Sequence, residues 1–104
     1  KNTLKKKLYS LKKKNYVIAG IGAGAKANTF LTYFNLDFNI INFITDTSKY
    51  KQFKFTPLTR VIIKSDNELK KYNKIACIIL SWNISSILIK KLKIINKKIY
   101  FIKI

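Results

Sequence analysis

One stretch constrains this chain more than any other: Tyr16-Val17-Ile18-Ala19-Gly20-Ile21-Gly22-Ala23-Gly24-Ala25-Lys26-Ala27-Asn28-Thr29. The apolar, β-branched run from Tyr16 to Ala19 predicts a buried parallel strand. Gly20, Gly22 and Gly24 are the only three glycines in the protein, and they fall within five positions. Such crowding suits a turn that needs φ > 0 or a close backbone approach to a ligand. Phe30, Leu31, Tyr33 and Phe34 then recur at helical spacing, so a helix is expected over 25–35. The unpaired N–H groups at its start make an anion site. The bland reading stays open here, because glycines also serve to pack a helix closely on a sheet.

The rest of the chain repeats the strand–helix alternation. Leu4, Leu8 and Leu11 lie at i, i+4 and i+7 among lysines, which predicts an amphipathic helix over 3–13. Residues 1–14 are thus a lead-in helix and 15–104 the domain proper. A second strand is expected over 39–46, with Asp46 at its carboxyl end, where dinucleotide folds place a ribose-binding acid. A polar loop over 49–57 holds the only proline, Pro57. A short strand over 60–64 precedes a capping box of Ser65 and Glu68 and a short helix to Tyr72. The clearest buried strand is 74–80, followed by the turn Ser81-Trp82-Asn83. A helix capped by Ser85 or Ser86 then reaches about residue 93, and an edge strand spans 97–103. The expected architecture is a single α/β domain, a small Rossmann-like and mostly parallel sheet flanked by helices. Its polar turns, at 22–29, 46–57 and 82–83, are expected to meet at one crevice on the carboxyl edge.

Composition narrows the function. The formal net charge of +18 invites a nucleic-acid or anionic-membrane reading. Against it, lysines are scattered over nearly every element, and Arg60 is the only arginine, although arginine is the better residue for forked phosphate contacts. Lys, Ile, Asn, Phe and Tyr fill more than half of the chain, the set that an AT-rich genome favours. No specific nucleic-acid partner is expected, only a salt-sensitive affinity for polyanions. With no histidine and the single cysteine Cys77 in an apolar run, neither a metal cluster nor a His-based triad is expected within this segment. No run is apolar enough to span a membrane, and the lysine-rich start lacks a signal-peptide core, so the cytoplasm is the default. The chain opens on Lys1-Asn2 without a methionine, which points to a piece of something longer.

Three blocks carry a family resemblance, in order and spacing. Gly20-x-Gly22-Ala23-x-Ala25-Lys26-x-Asn28-Thr29, with Tyr33 following, resembles the GxGAxAKGNT…Y signature of the C-terminal domain of sugar C-methyltransferases. Asp46-Thr47-Ser48-Lys49-Tyr50-Lys51-Gln52-Phe53-Lys54-Phe55-Thr56-Pro57-Leu58-Thr59 resembles that family's D-x-N-P-x-K-Q-G-K-x-T-P-G-T stretch. Trp82-Asn83 is similar to its W-N pair. The resemblance covers about residues 3–104. This chain departs from it where Phe53 and Leu58 replace glycines, Ile62 a proline and Ala27 a glycine, and where Ser86 replaces an acidic residue. Bulky residues resist φ > 0, so these replacements bear on the backbone course of the loop.

The resemblance implies a substrate-binding domain that closes one side of the cleft for a nucleotide-linked deoxysugar. S-adenosylmethionine, the methyl donor, and the deprotonating residues are then expected in a preceding methyltransferase domain of the same chain. No catalytic residue is assigned to this segment, which should not catalyse anything alone. Candidate substrate contacts are Gly22, Ala23, Ala25, Lys26, Asn28 and Thr29 at the helix start, and Asp46, Lys54, Thr56, Pro57 and Thr59 in the loop. Trp82 for stacking and Asn83 for hydrogen bonding complete the set. A dinucleotide- or CoA-binding module of a sugar-modifying protein is the alternative, with Asp46 facing a ribose.

Overall fold

The structure is a computed structural model that describes residues 2–22, 25–50, 52–80 and 85–102. Helix α1 spans Asn2–Lys13, strand β1 Val17–Ile21, helix α2 Ala25–Tyr33, strand β2 Phe43–Thr45 and strand β3 Ile63–Lys64. A 3₁₀ helix, Asp66–Lys71, leads to strand β4, Ile75–Ile79, then helix α3, Ser85–Ile95, and strand β5, Tyr100–Ile102. The five strands form one sheet in the order β3-β2-β1-β4-β5. Every pairing between these strands is parallel, with a crossover connection between each strand and its parallel neighbour. The strand order reverses beside β1, and open α/β sheets bind ligands at the carboxyl ends of the strands near such a reversal.

Side chains alternate between the two faces of the sheet, and each face has its own core. On one face Leu4 and Leu8 of α1, with Ala27 and Leu31 of α2, pack on Ile18, Ile44, Ala76 and Ile78. On the other, Leu69 of the 3₁₀ helix and Leu92 of α3 pack on Ala19, Ile21, Phe43, Ile75 and Cys77. The leucine periodicity of α1 therefore marks a helix laid on the sheet. Two asparagines pin these layers. Asn42 Oδ1 accepts from Ile18 N at 3.0 Å and from Lys12 Nζ at 2.9 Å, joining α1, β1 and the entry to β2. Asn96 Nδ2 donates to the carbonyls of Leu69 and Tyr72, both at 2.8 Å, fixing α3 against the 3₁₀ helix.

The second strand is shorter than the sequence suggests. Asp37 captures the chain first: its Oδ1 accepts from Asn39 N at 2.9 Å, and its carbonyl accepts from Ile40 N and Ile41 N. That turn delays β2 to Phe43, since an aspartate can offer the backbone an alternative to the sheet ladder. The strand expected over 60–64 likewise shrinks to two residues, because Arg60 takes φ 56° in a turn. Half of the expected capping box forms: Ser65 Oγ accepts from Asn67 N at 3.2 Å. The Glu68 carboxylate meets Lys64 at 3.4 Å, Lys71 at 3.0 Å and the Tyr72 hydroxyl at 3.0 Å.

Candidate functional site

The glycines of β1 have separate roles. Gly20 lies within the strand, and a Cβ there would sit 2.8 Å from Leu80 Cδ1 and 3.2 Å from Ile44 Cγ1, so the position is kept bare by packing. Gly22 takes φ 93°, a conformation side chains resist, and its N–H donates to Thr45 O at 2.8 Å. This turns the chain away from the sheet at the end of β1. Gly24 and Ala23 lie outside the described residues, as do Trp82 and Asn83; for Ala25 and Lys26 the backbone at the start of α2 is described.

Asn28 and Thr29 follow one turn later. With Thr32 and Tyr33 of α2 they line a groove of about 420 Å³, whose opposite wall is Pro57 and Leu58. Two of the three resemblance blocks are therefore brought together by the fold. Asn28 Oδ1 is buried and, among the described residues, has no hydrogen-bond partner. An unmet buried acceptor is costly in a folded protein, and it is the kind of group a bound donor satisfies.

The loop opposite α2 keeps a glycine-type course without its glycines. Phe53 has φ 65° and Leu58 φ 64°. Their side chains escape into solvent, with 76% and 85% of their surfaces exposed, so the cost is confined to the backbone. Hydrogen bonds hold the loop in place: Phe53 N to Ile63 O, Ile63 N to Lys54 O, Thr56 N to Val61 O and Arg60 N to Thr56 O. Thr56 and Thr59 turn inward, their hydroxyls 2.6 Å apart, and Thr56 Oγ1 also accepts from Val61 N at 2.9 Å. Both are nearly buried and brace the turn that presents Pro57 and Leu58. Lys54 is exposed on the same loop.

Asp46 lies elsewhere. It follows β2 opposite Gly22, with Oδ1 accepting from Ser48 N at 2.8 Å and its carbonyl from Gln52 Nε2 at 3.0 Å. It lines a separate hollow with Ile21, Gly22, Thr45, Thr47, Asp66 and Leu88. Leu88 belongs to α3 and Asp66 to the 3₁₀ helix, so this hollow is on the sheet face opposite α2. Among the described residues, Gly22 and Asp46 of the expected crevice thus line one hollow, and Asn28, Thr29 and Pro57 line another. Sequence reasoning missed Thr45 and Asp66. A threonine closing an apolar strand and an acid just past β3 were the available signals.

Other chemistry is restrained. Burial pushes the Cys77 thiol up to about 12, which makes it an unreactive core side chain. Among the described residues no group of three potential metal ligands converges, and no helix is long and apolar enough to cross a membrane. A search of the curated proteins finds no match. The profile of one family, described as the C-methyltransferase C-terminal domain, matches residues 1–103. The chain belongs to that family.

Proposed function

We propose that this chain is the substrate-binding part of an S-adenosylmethionine-dependent C-methyltransferase that acts on a nucleotide-linked deoxysugar, and that it closes one side of the substrate cleft. The observation that carries the reading is the groove between α2 and the 53–60 loop. It joins the Asn28-Thr29 and Pro57-Leu58 parts of the family pattern, and among the described residues its lining residue Asn28 has a buried Oδ1 without a hydrogen-bond partner. In this reading S-adenosylmethionine is held by a preceding domain of the same chain, and the present residues fix the acceptor sugar. Methylating a carbon beside a carbonyl needs that carbon held in line with the donor while its proton leaves. Positioning supplies a large part of such a barrier reduction. The start of α2, where Lys26 lies and where a helix has backbone N–H groups without intrahelical partners, suits the diphosphate. Asn28 Oδ1 suits a sugar or base donor.

Thermal denaturation of the chain with dTDP, dTDP-linked deoxysugars, NAD and CoA tests this. A ligand at a hundredfold its Kd stabilises by about 2.7 kcal/mol, well within reach of a melting curve. Stabilisation by dTDP species alone is the expected result. Stabilisation by NAD or CoA alone would favour the dinucleotide- or CoA-binding reading, which the position of Asp46 after β2 also suits.

A further inference from the structure

Folding leaves an apolar cluster on the outside of this protein. Among the described residues ten large hydrophobic side chains are exposed, and half of them are Phe38, Tyr50, Phe53, Phe55 and Leu58. The fold gathers these five beside the edge strand β3. Phe38 N donates to Thr59 O at 3.1 Å, Phe38 and Phe55 line one hollow with Arg60 and Ile62, and Phe55 faces Ile62 across an antiparallel bridge. Tyr50 is 87% exposed. Phe53 and Leu58 keep their outward positions at positive φ, a backbone cost for bulky residues. Compositional drift accounts for many Phe and Tyr residues, but not for their collection in one place on the surface. Exposed patches of this kind mark protein or membrane contacts.

The charge around the patch selects between these. Residues 47–65 include five basic residues and no acidic one, and Lys49, Lys54 and Arg60 are exposed. Asp37 and Asp46, the acids on either side in sequence, each accept from a nearby backbone N–H. A second copy of the chain would bring the same net charge of +18, which opposes pairing. A nucleic acid offers negative charge and flat faces to stack on, but no apolar phase for Leu58. An anionic bilayer offers both charge and an apolar phase. We infer that the 53–60 loop, with Tyr50 before it and Phe38 beside it, docks on an anionic lipid surface. The aromatic rings enter the interfacial layer, where such side chains are favoured. Lys49, Lys54 and Arg60 stay among the headgroups, attracted by the negative surface. The contact is peripheral and needs no spanning segment. It does not depend on what the groove beside α2 binds.

The test is co-sedimentation of the chain with vesicles at near-physiological salt, using phosphatidylcholine alone and phosphatidylcholine with phosphatidylglycerol at two to one. Binding to the anionic vesicles only is expected. A charge of +18 adsorbs to such vesicles by itself, so two double variants of unchanged charge carry the distinction. Phe53→Ser with Phe55→Ser should weaken binding at least about tenfold, because the two rings no longer leave water. Ile87→Ser with Ile94→Ser, which removes two equally exposed apolar side chains from α3, should bind like the wild type. Chemical denaturation of each variant checks that it folds. If the phenylalanine pair does not fold, doxyl-labelled lipid in bicelles with the wild type replaces it. The amides of Phe53, Lys54 and Phe55 should then broaden, and those of Ile87 and Ile94 should not. No binding to anionic vesicles, equal binding by all three proteins, or equal broadening at both places would overturn the inference. So would a concentration-dependent dimer that Phe53→Ser with Phe55→Ser abolishes, since the patch would then belong to a second copy.

Discussion

The two hollows are bounded in opposite ways. The groove beside α2 has a strained far wall: Phe53, Leu58 and Arg60 all hold positive φ without being glycine. The acidic hollow has a tied rim, where Ser65 caps the 3₁₀ helix and Glu68 gathers Lys64, Lys71 and Tyr72. The contrast separates two ways of holding a loop still. One rim is kept by local hydrogen bonds between well-suited residues. The other is kept by a hydrogen-bonded hairpin and the buried Thr56–Thr59 pair, in spite of the residues at its bends. At Phe53 and Leu58 the backbone holds a left-handed conformation that bulky residues resist, and accepts the strain.

Breaking what the two rims share should have the largest effect. Gly20→Val would drive side-chain atoms into Leu80 and Ile44 of the core beneath α1 and α2. A loss of about 3 kcal/mol is expected by chemical denaturation, with both hollows deformed. Restoring the family residues at the strained wall should do the reverse. Phe53→Gly and Leu58→Gly each relieve a left-handed bulky residue that buries little, and each should add about 1 kcal/mol. Unchanged or lower stability in both would mean that the wall is not strained as described.

A smaller effect is expected at the tied rim. Burial pushes the Glu68 carboxyl up, but hydrogen bonds from Lys71, Tyr72 and Lys64 outweigh it and hold the group below the usual 4.5. A depressed carboxylate stabilises the fold above its ordinary pKa, and that contribution fades as pH falls through the lower, folded value. Glu68→Gln should therefore cost about 1 kcal/mol at neutral pH and flatten the acid limb of the stability profile below pH 4.5. The smallest change concerns the core beneath α3 and the 3₁₀ helix, on the side of the acidic hollow. Native Cys77 should resist alkylation until the protein unfolds. Because its folded pKa is raised, its contribution should decline as pH climbs from 9.0 towards about 12.

The β1 glycine turn, the leucine stripe of α1 and the apolar β4 run were legible because each is set by local periodicity and by burial on a sheet. What was not legible depended on tertiary geometry. Asp37 competes with the start of β2 through its own side chain, which no periodicity reveals. Thr56 and Thr59 read as polar loop residues, yet they meet each other inside the hairpin. That Asp46 and Asn28 line different hollows depends on which sheet face each borders, since Thr45 shares its hollow with Asp66 of the 3₁₀ helix and Leu88 of α3. The Asn42 and Asn96 pins were equally silent, for their partners lie 24 or more residues away.

The central claim is that the groove between α2 and the 53–60 loop receives the substrate, and Asn28 is its most direct probe. Binding of a dTDP-linked deoxysugar should be measured by calorimetry for the wild type and for Asn28→Ala, with the stability of each determined alongside. Removing an unmet buried acceptor should leave stability unchanged or slightly raised, while affinity falls by about fivefold or more. Equal affinity in the two proteins, or a loss of stability that accounts for the weaker binding, would contradict the claim.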